Sequence, residues 1–95
     1  MYNPIHVYNV TKEGFEDLQV KYPKGEKLEE TDRENLIAYG GYVRWLIQVT
    51  KEDLTNLKLL ELLAMESEMH NFARNHSVSS FLQRFKKPLE QEVVA

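Results

Sequence analysis

Apolar residues recur at helical spacing over residues 54–73, and this is the clearest pattern in the chain. Leucine, methionine and phenylalanine fall three or four positions apart there, and neither glycine nor proline interrupts them. Glutamate and lysine lie mainly off this stripe, which is typical of an amphipathic helix that faces a core. The sequence therefore predicts a long helix over about 51–74, beginning just after Thr50.

A shorter helix is predicted between this long helix and Pro88. Ser77 is a residue type that caps helix N-termini, and a proline such as Pro88 cannot continue a helix. The apolar side of the short helix consists of Phe81, Leu82 and Phe85. We therefore expect one domain over residues 1–88, followed by a tail over residues 89–95.

The N-terminal part of the chain divides into two predicted elements. Residues 5–10 are rich in β-branched and aromatic side chains and follow a proline, which favours a short strand. Thr11 suits a helix N-cap and would open a short helix. The apolar stripe of that helix consists of Phe15, Leu18 and Tyr22. The alternating residues 18–22 leave a second strand open as the competing interpretation.

Residues 35–49 are predicted to form a β-hairpin. The adjacent Gly40 and Gly41 suit a two-residue turn, since glycine tolerates the positive φ that such a turn requires. Valine, tryptophan and isoleucine occupy alternate positions after the turn, and these residue types favour strands. The hairpin places Trp45 on a wholly apolar face, where we expect it to be largely buried.

The predicted fold class is α+β, and an all-α bundle is the alternative. Thr31 and Glu34 have the spacing of a capping box, which indicates a helix from about residue 32 instead of a strand. Two glycines inside that helix would each cost about 1 kcal/mol relative to alanine. For this reason the hairpin is the preferred interpretation.

Composition excludes several classes of protein. The 95 residues carry twelve basic and fifteen acidic side chains, and 42% of them are hydrophobic. Such a chain is too apolar to be intrinsically disordered. It has no cysteine, which excludes disulfides, thiol nucleophiles and Cys-based metal sites. The N-terminus lacks a signal-peptide pattern and no apolar run is long enough to span a membrane, so we expect a cytoplasmic protein.

No residue pattern points to catalysis. Glu66 and His70 are four positions apart on the predicted helix and could share a metal ion, but such pairs are common by chance. The serines that follow His76 are better explained as a helix start, and no glycine-rich phosphate loop is present. We expect a non-enzymatic protein with no cofactor, no metal and no small-molecule substrate.

The long helix is apolar over too wide an arc for one neighbouring surface to cover. We therefore expect a homodimer or a complex with another protein, in which the chain acts as a small regulator, inhibitor or assembly subunit. Phage-encoded accessory proteins are often of this size. The residues that we expect to face the partner are Leu59, Leu63, Glu66 and His70.

Nucleic-acid binding is the alternative function. Residues 1–69 hold eight bases and thirteen acids, a net charge of −5, whereas residues 70–87 hold four bases and no acid, +4. The four bases are Arg74, Arg84, Lys86 and Lys87. A basic helix end with aromatic neighbours can contact phosphates, but the acidic chain as a whole is repelled from them.

Overall fold

The computed structural model describes residues 3–86, and their regular structure is entirely helical. The helices are, in chain order, α1 (Pro4–Lys21), α2 (Glu30–Lys51), α3 (Leu59–Asn75) and α4 (Ser79–Arg84). No strand occurs in this part of the chain. The predicted α+β fold is therefore wrong, and the alternative, an all-α bundle, is confirmed.

α2 is the central helix of the bundle. α1 and α3 each pack along it, and the short α4 covers α2 and α3 together. Tyr22 at the end of α1 bonds to Asp32 near the start of α2, and Arg44 late in α2 bonds to Glu66 in α3. Consecutive long helices are thus antiparallel, and α1 and α3 point the same way. The core includes Phe15, Leu18, Leu36, Val43, Ile47, Leu62, Met69, Phe72 and Phe81.

α1 begins well before Thr11, so the predicted strand over residues 5–10 is wrong. The side-chain oxygen of Asn3 caps the helix and accepts a hydrogen bond from the backbone N–H of Ile5 at 2.9 Å. Thr11 is buried inside the helix, and its hydroxyl donates to the carbonyl oxygen of Val7 at 2.7 Å. Packing of Val7 against the core outweighs the weak helix propensity of β-branched residues.

α2 replaces the predicted hairpin over residues 35–49. Its buried face follows a helical period, through Leu36, Gly40, Val43 and Ile47. Gly40 lies inside the helix, and α4 packs directly onto it: a Cβ there would stand 2.7 Å from Phe81 Cε2. A glycine that looks like a turn residue is thus a site of close helix packing.

The predicted long helix over 51–74 is shorter than expected, because α2 ends where that helix was expected to begin. Asp53 has a left-handed φ of 61°, and its N–H donates to the carbonyl oxygen of Thr50. The N–H of Leu54 donates to the carbonyl oxygen of Val49 at 2.9 Å. These two bonds form a Schellman motif, which terminates a helix. α3 starts only at Leu59.

α3 ends in a second Schellman motif. Ser77 has a left-handed φ of 55°, and the N–H of Val78 donates to the carbonyl oxygen of Ala73 at 2.8 Å. Ser77 therefore belongs to the end of α3, and Val78 occupies the N-cap position of α4. Neither motif carries the glycine that usually marks it in a sequence.

Two predicted apolar stripes are confirmed. One is buried along α1 and its C-cap, and consists of Phe15, Leu18 and Tyr22. The other holds α4 to the core through Phe81 and Phe85, with Leu82 half-buried beside them. Pro88 and the expected tail over 89–95 lie outside the described residues.

Candidate functional site

An apolar groove opens between α1 and α2 on the surface of the bundle. It encloses a cavity of about 360 Å³. It is lined by His6, Val7, Val10, Tyr42 and Trp45. We call it the α1–α2 groove. The side chains that line the groove are mostly apolar. Their polar groups are the imidazole of His6, the hydroxyl of Tyr42 and the indole N–H of Trp45.

The close contact of Gly14 and Tyr39 brings α1 and α2 together beside this groove. A Cβ on Gly14 would overlap the Tyr39 ring, so the absence of a side chain lets the ring lie against the α1 backbone. Burial of the Tyr39 hydroxyl raises its pKa, with the charge of Asp17 as a further cause. The rings of Tyr39 and Tyr42 are 6.4 Å apart, so an aromatic row leads into the groove.

Trp45 is only half-buried, contrary to the expectation from the hairpin. In a strand it would share a face with Val43 and Ile47, since side chains two apart point the same way. In α2 the helical period separates them, and Val43 and Ile47 enter the core while Trp45 lines the groove. Trp45 still packs against the core.

Two of the residues expected to face a partner lie inside the bundle. Glu66 and His70 are each 1% exposed. Glu66 accepts a hydrogen bond from Arg44 Nε at 2.9 Å, with Arg44 still 26% exposed. Leu59 and Leu63 are half-buried and pack against the core. The face named from the sequence is therefore divided between core and surface, and it is not an outward seam.

His70 instead connects α3 to the end of α4. Its Nε2 lies 2.6 Å from the carbonyl oxygen of Phe85, and its Nδ1 lies 2.9 Å from that of Glu66. His76 has a similar position after α3, with Nε2 3.0 Å from the carbonyl oxygens of both Tyr22 and Pro23. Each ring joins segments far apart in sequence, and spacing along the chain gives no signal of such contacts.

Of the basic residues expected to contact nucleic acid, Arg84 lies beside the ring of Phe85. Arg84 lies 5.9 Å from the centre of the Phe85 ring, and Arg44 of α2 lies 5.2 Å from it. Lys86 is exposed, and Arg74 is exposed and bonds to Asn71. The expected contact residue Lys87 lies outside the described residues. The fold thus adds Arg44, a residue that was not predicted, to the surroundings of Arg84.

A polar cluster joins α1 to α2 at the opposite end of α2. The Tyr22 hydroxyl donates to the carboxylate of Asp32, and Lys21 Nζ lies 2.9 Å from the same oxygen. The hydrogen bond from Tyr22 is the main cause that lowers the pKa of Asp32, and the hydrogen bond from Lys21 lowers it further. The bond to Asp32 raises the pKa of Tyr22 and that of Lys21. This cluster fixes the helix connection and lies apart from the groove.

Within residues 3–86 no three His, Asp or Glu side chains are arranged to hold a metal ion. None of the helices in the same range is both long and apolar enough to cross a bilayer. Comparison with protein-family models, with curated proteins and with solved structures finds no match to this chain. The surface of the bundle itself is therefore the basis on which a function can be assigned.

Proposed function

We propose that this protein is a non-enzymatic protein-interaction module that binds an apolar segment of a partner protein in the α1–α2 groove. The observation that carries the proposal is an open apolar groove with Trp45 and Tyr42 in its wall. Tryptophan and tyrosine are enriched at the energetically dominant positions of protein interfaces. Exposed apolar patches on small soluble domains tend to mark interaction sites.

The rim of the groove favours a protein over a small molecule. Val10 is 42% exposed and Tyr42 is 45% exposed, so apolar surface continues from the cavity to the outside. A small ligand inside the cavity would leave that rim in water. A helix laid along the cleft between two helices covers both the cavity and its rim with side chains at helical spacing.

The proposal includes the biological roles expected from the sequence. A chain of this size would act in the cytoplasm as a regulator, an inhibitor or an assembly subunit. Its partner would be another protein or a second copy of itself. The contact surface differs from the one expected on the long helix, since the α1–α2 groove takes the place of the seam at Leu59 and Leu63.

Affinity capture with matched variants tests the proposal. Val10→Glu places a charge on the rim of the groove. Leu54→Glu introduces the same charge outside the groove, at a residue that is 67% exposed. Proteins from the native host that bind the wild-type chain should also bind Leu54→Glu and be lost with Val10→Glu. Capture that is equal for both variants would contradict the proposal.

The tryptophan of the groove provides a direct measurement. The chain has one tryptophan, so intrinsic fluorescence reports on Trp45 alone. Binding of a purified partner in the groove should exclude water from the indole, shift its emission to shorter wavelength and reduce quenching by iodide. A partner that binds tightly and leaves both properties unchanged would occupy another surface.

Nucleic-acid binding through the basic C-terminal helix is the second candidate function. The observation that favours it is the position of Arg44 and Arg84 about the Phe85 ring, with Lys86 next in the chain. The test is a mobility shift of a labelled duplex at low and moderate salt, since phosphate contacts weaken steeply with salt. Loss of binding in Arg84→Gln would support this function over the first.

A further inference from the structure

We infer that a second groove, between α1 and α3, binds a cationic amphipathic helix of a partner protein. This site is separate from the α1–α2 groove and does not depend on it. It encloses about 210 Å³. The lining residues that carry the argument are Phe15, Glu16, Glu61, Ala64, Met65 and Glu68. We call it the α1–α3 groove.

The floor of the α1–α3 groove is apolar and well supported. Phe15 is buried, and its ring packs edge-on against Phe72 at 5.6 Å between centroids. Met65 is half-buried beside it and packs against the core. Ala64 is exposed and small, so the groove has room for an incoming side chain at that point. Methionine adapts its shape to different partners.

The walls of the α1–α3 groove carry an excess of negative charge. Glu16 extends from α1, and Glu61 and Glu68 extend from α3, so carboxylates stand on both sides of the apolar floor. Lys12 is the one cation in the lining. The ion pairs found across residues 3–86 are Lys21–Asp32 and Arg44–Glu66, so the three carboxylates of the groove are available to an incoming cation.

Exposed apolar residues continue the two lining faces. Val20 and Leu60 are the most exposed large hydrophobic residues in the described part of the chain, at 84% and 79%. Val20 lies four positions after Glu16, and Leu60 lies four positions before Ala64, so each shares a helix face with the lining. Because α1 and α3 point the same way, Val20 and Leu60 lie toward opposite ends of the groove.

These features together select the occupant. The lining on α1 runs from Lys12 to Gln19, a length of roughly 10 Å or two helical turns. A partner helix of about three turns would place apolar side chains on the floor at i, i+3 and i+7 and would direct lysine or arginine to the walls. Charge complementarity excludes an acidic helix, because like charges across an interface are repulsive.

A peptide titration tests this inference. The probe is a fluorescein-labelled 14-residue peptide of leucine and lysine at amphipathic helical spacing, and its control has glutamate in place of lysine. Fluorescence anisotropy should show binding of the lysine peptide and not of the glutamate peptide. Affinity should fall between 50 and 200 mM salt without vanishing, since the apolar floor is not screened.

Two charge variants separate the groove from the net charge of the protein. The double variant Glu61→Lys with Glu68→Lys should weaken binding of the lysine peptide at least about tenfold. The control, Glu26→Lys with Glu34→Lys, changes the same net charge at exposed residues outside the groove and should bind the peptide more tightly than the first variant. Equal weakening by both would show attraction to net charge alone and would overturn the inference.

Further measurements locate the peptide. Ala64→Tyr fills the floor at an exposed position and should also weaken binding, whereas Val10→Glu should leave binding unchanged and the peptide should not shift the emission of Trp45. A shift of Trp45 emission with loss of affinity in Val10→Glu would place the peptide in the α1–α2 groove and overturn the inference. If the protein self-associates and its association excludes the peptide, the occupant of the groove is a second copy of the chain. This outcome would also overturn the inference.

Discussion

The ring of Phe85 lies directly against the backbone of Gly40. A Cβ on residue 40 would stand 2.6 Å from Phe85 Cε2 and 3.1 Å from Phe85 Cδ2, both closer than such atoms normally approach in proteins. The end of α4 packs against α2 at Gly40. His70 Nε2 lies within hydrogen-bond distance of the carbonyl oxygen of the same Phe85. The lack of a side chain at Gly40 therefore allows the Phe85 ring to pack directly against α2.

Gly40→Ala should destabilise the protein, and Gly41→Ala should stabilise it. The new methyl at residue 40 must displace buried rings, an overpacking cost of about 1–3 kcal/mol that outweighs the gain in helix propensity. A Cβ at residue 41 meets nothing within 4 Å, so the propensity gain of up to about 1 kcal/mol remains. Urea unfolding of both variants measures the difference. Stabilisation by both alanines would contradict the contact with Phe85.

Ser77→Gly should stabilise the protein by about 0.5–1 kcal/mol. Ser77 has a φ of 55°, and the left-handed conformation is strained for serine, whereas glycine adopts it freely. Greater freedom of glycine in the unfolded chain offsets part of the gain. Asn75→Gly is the control: Asn75 is the last residue of α3, and glycine there should lower stability. Thermal unfolding of the two variants tests the Schellman motif. If both glycines raise stability, or both lower it, the result would argue against the motif.

Arg44→Met should destabilise the protein by about 3 kcal/mol. It removes the basic half of the ion pair with Glu66, whose carboxylate is 1% exposed, and breaking a buried ion pair is strongly destabilising. Adding Glu66→Gln to this variant should recover part of the loss, because a neutral amide costs less to bury than a charge. Lys21→Met breaks an exposed pair and should have a much smaller effect, as measured by urea unfolding. Equal effects of Arg44→Met and Lys21→Met would contradict the buried position of Glu66.

Asp32→Asn should lower the free energy of unfolding at neutral pH and should lower it less in acid. The pKa of Asp32 is lowered from 3.8, first by the hydrogen bond from Tyr22 and then by that from Lys21. The folded state therefore favours the carboxylate, and its contribution is present above pH 3.8 and is lost as the pH falls through the lowered pKa. Unfolding free energies of wild type and variant should converge below that range. A constant difference down to about pH 2 would contradict the prediction, and Glu34→Gln, at an exposed residue, is the control.

Sequence periodicity favoured two helical stripes that the structure buries, although residues 18–22 also fit a strand. The stripe of Phe15, Leu18 and Tyr22 and the pair Phe81 and Phe85 are buried as predicted. Within each stripe, neighbouring members are three or four positions apart, which places them on a common face of a helix. The absence of cysteine by itself excludes disulfides and Cys-based metal sites, because that chemistry requires a thiol.

Tertiary packing decided the rest. Residues 35–49 are apolar at positions that fit both a strand and a helix, and in the bundle they form a helix that buries Leu36, Val43 and Ile47. Glu66 and His70 have the spacing of an exposed pair, but Arg44 and the Phe85 carbonyl group satisfy their polar atoms inside the bundle. Each groove lies between two helices and takes its lining from both. Local propensities differ by less than about 1 kcal/mol per residue, whereas such contacts form only when separate segments of the chain meet.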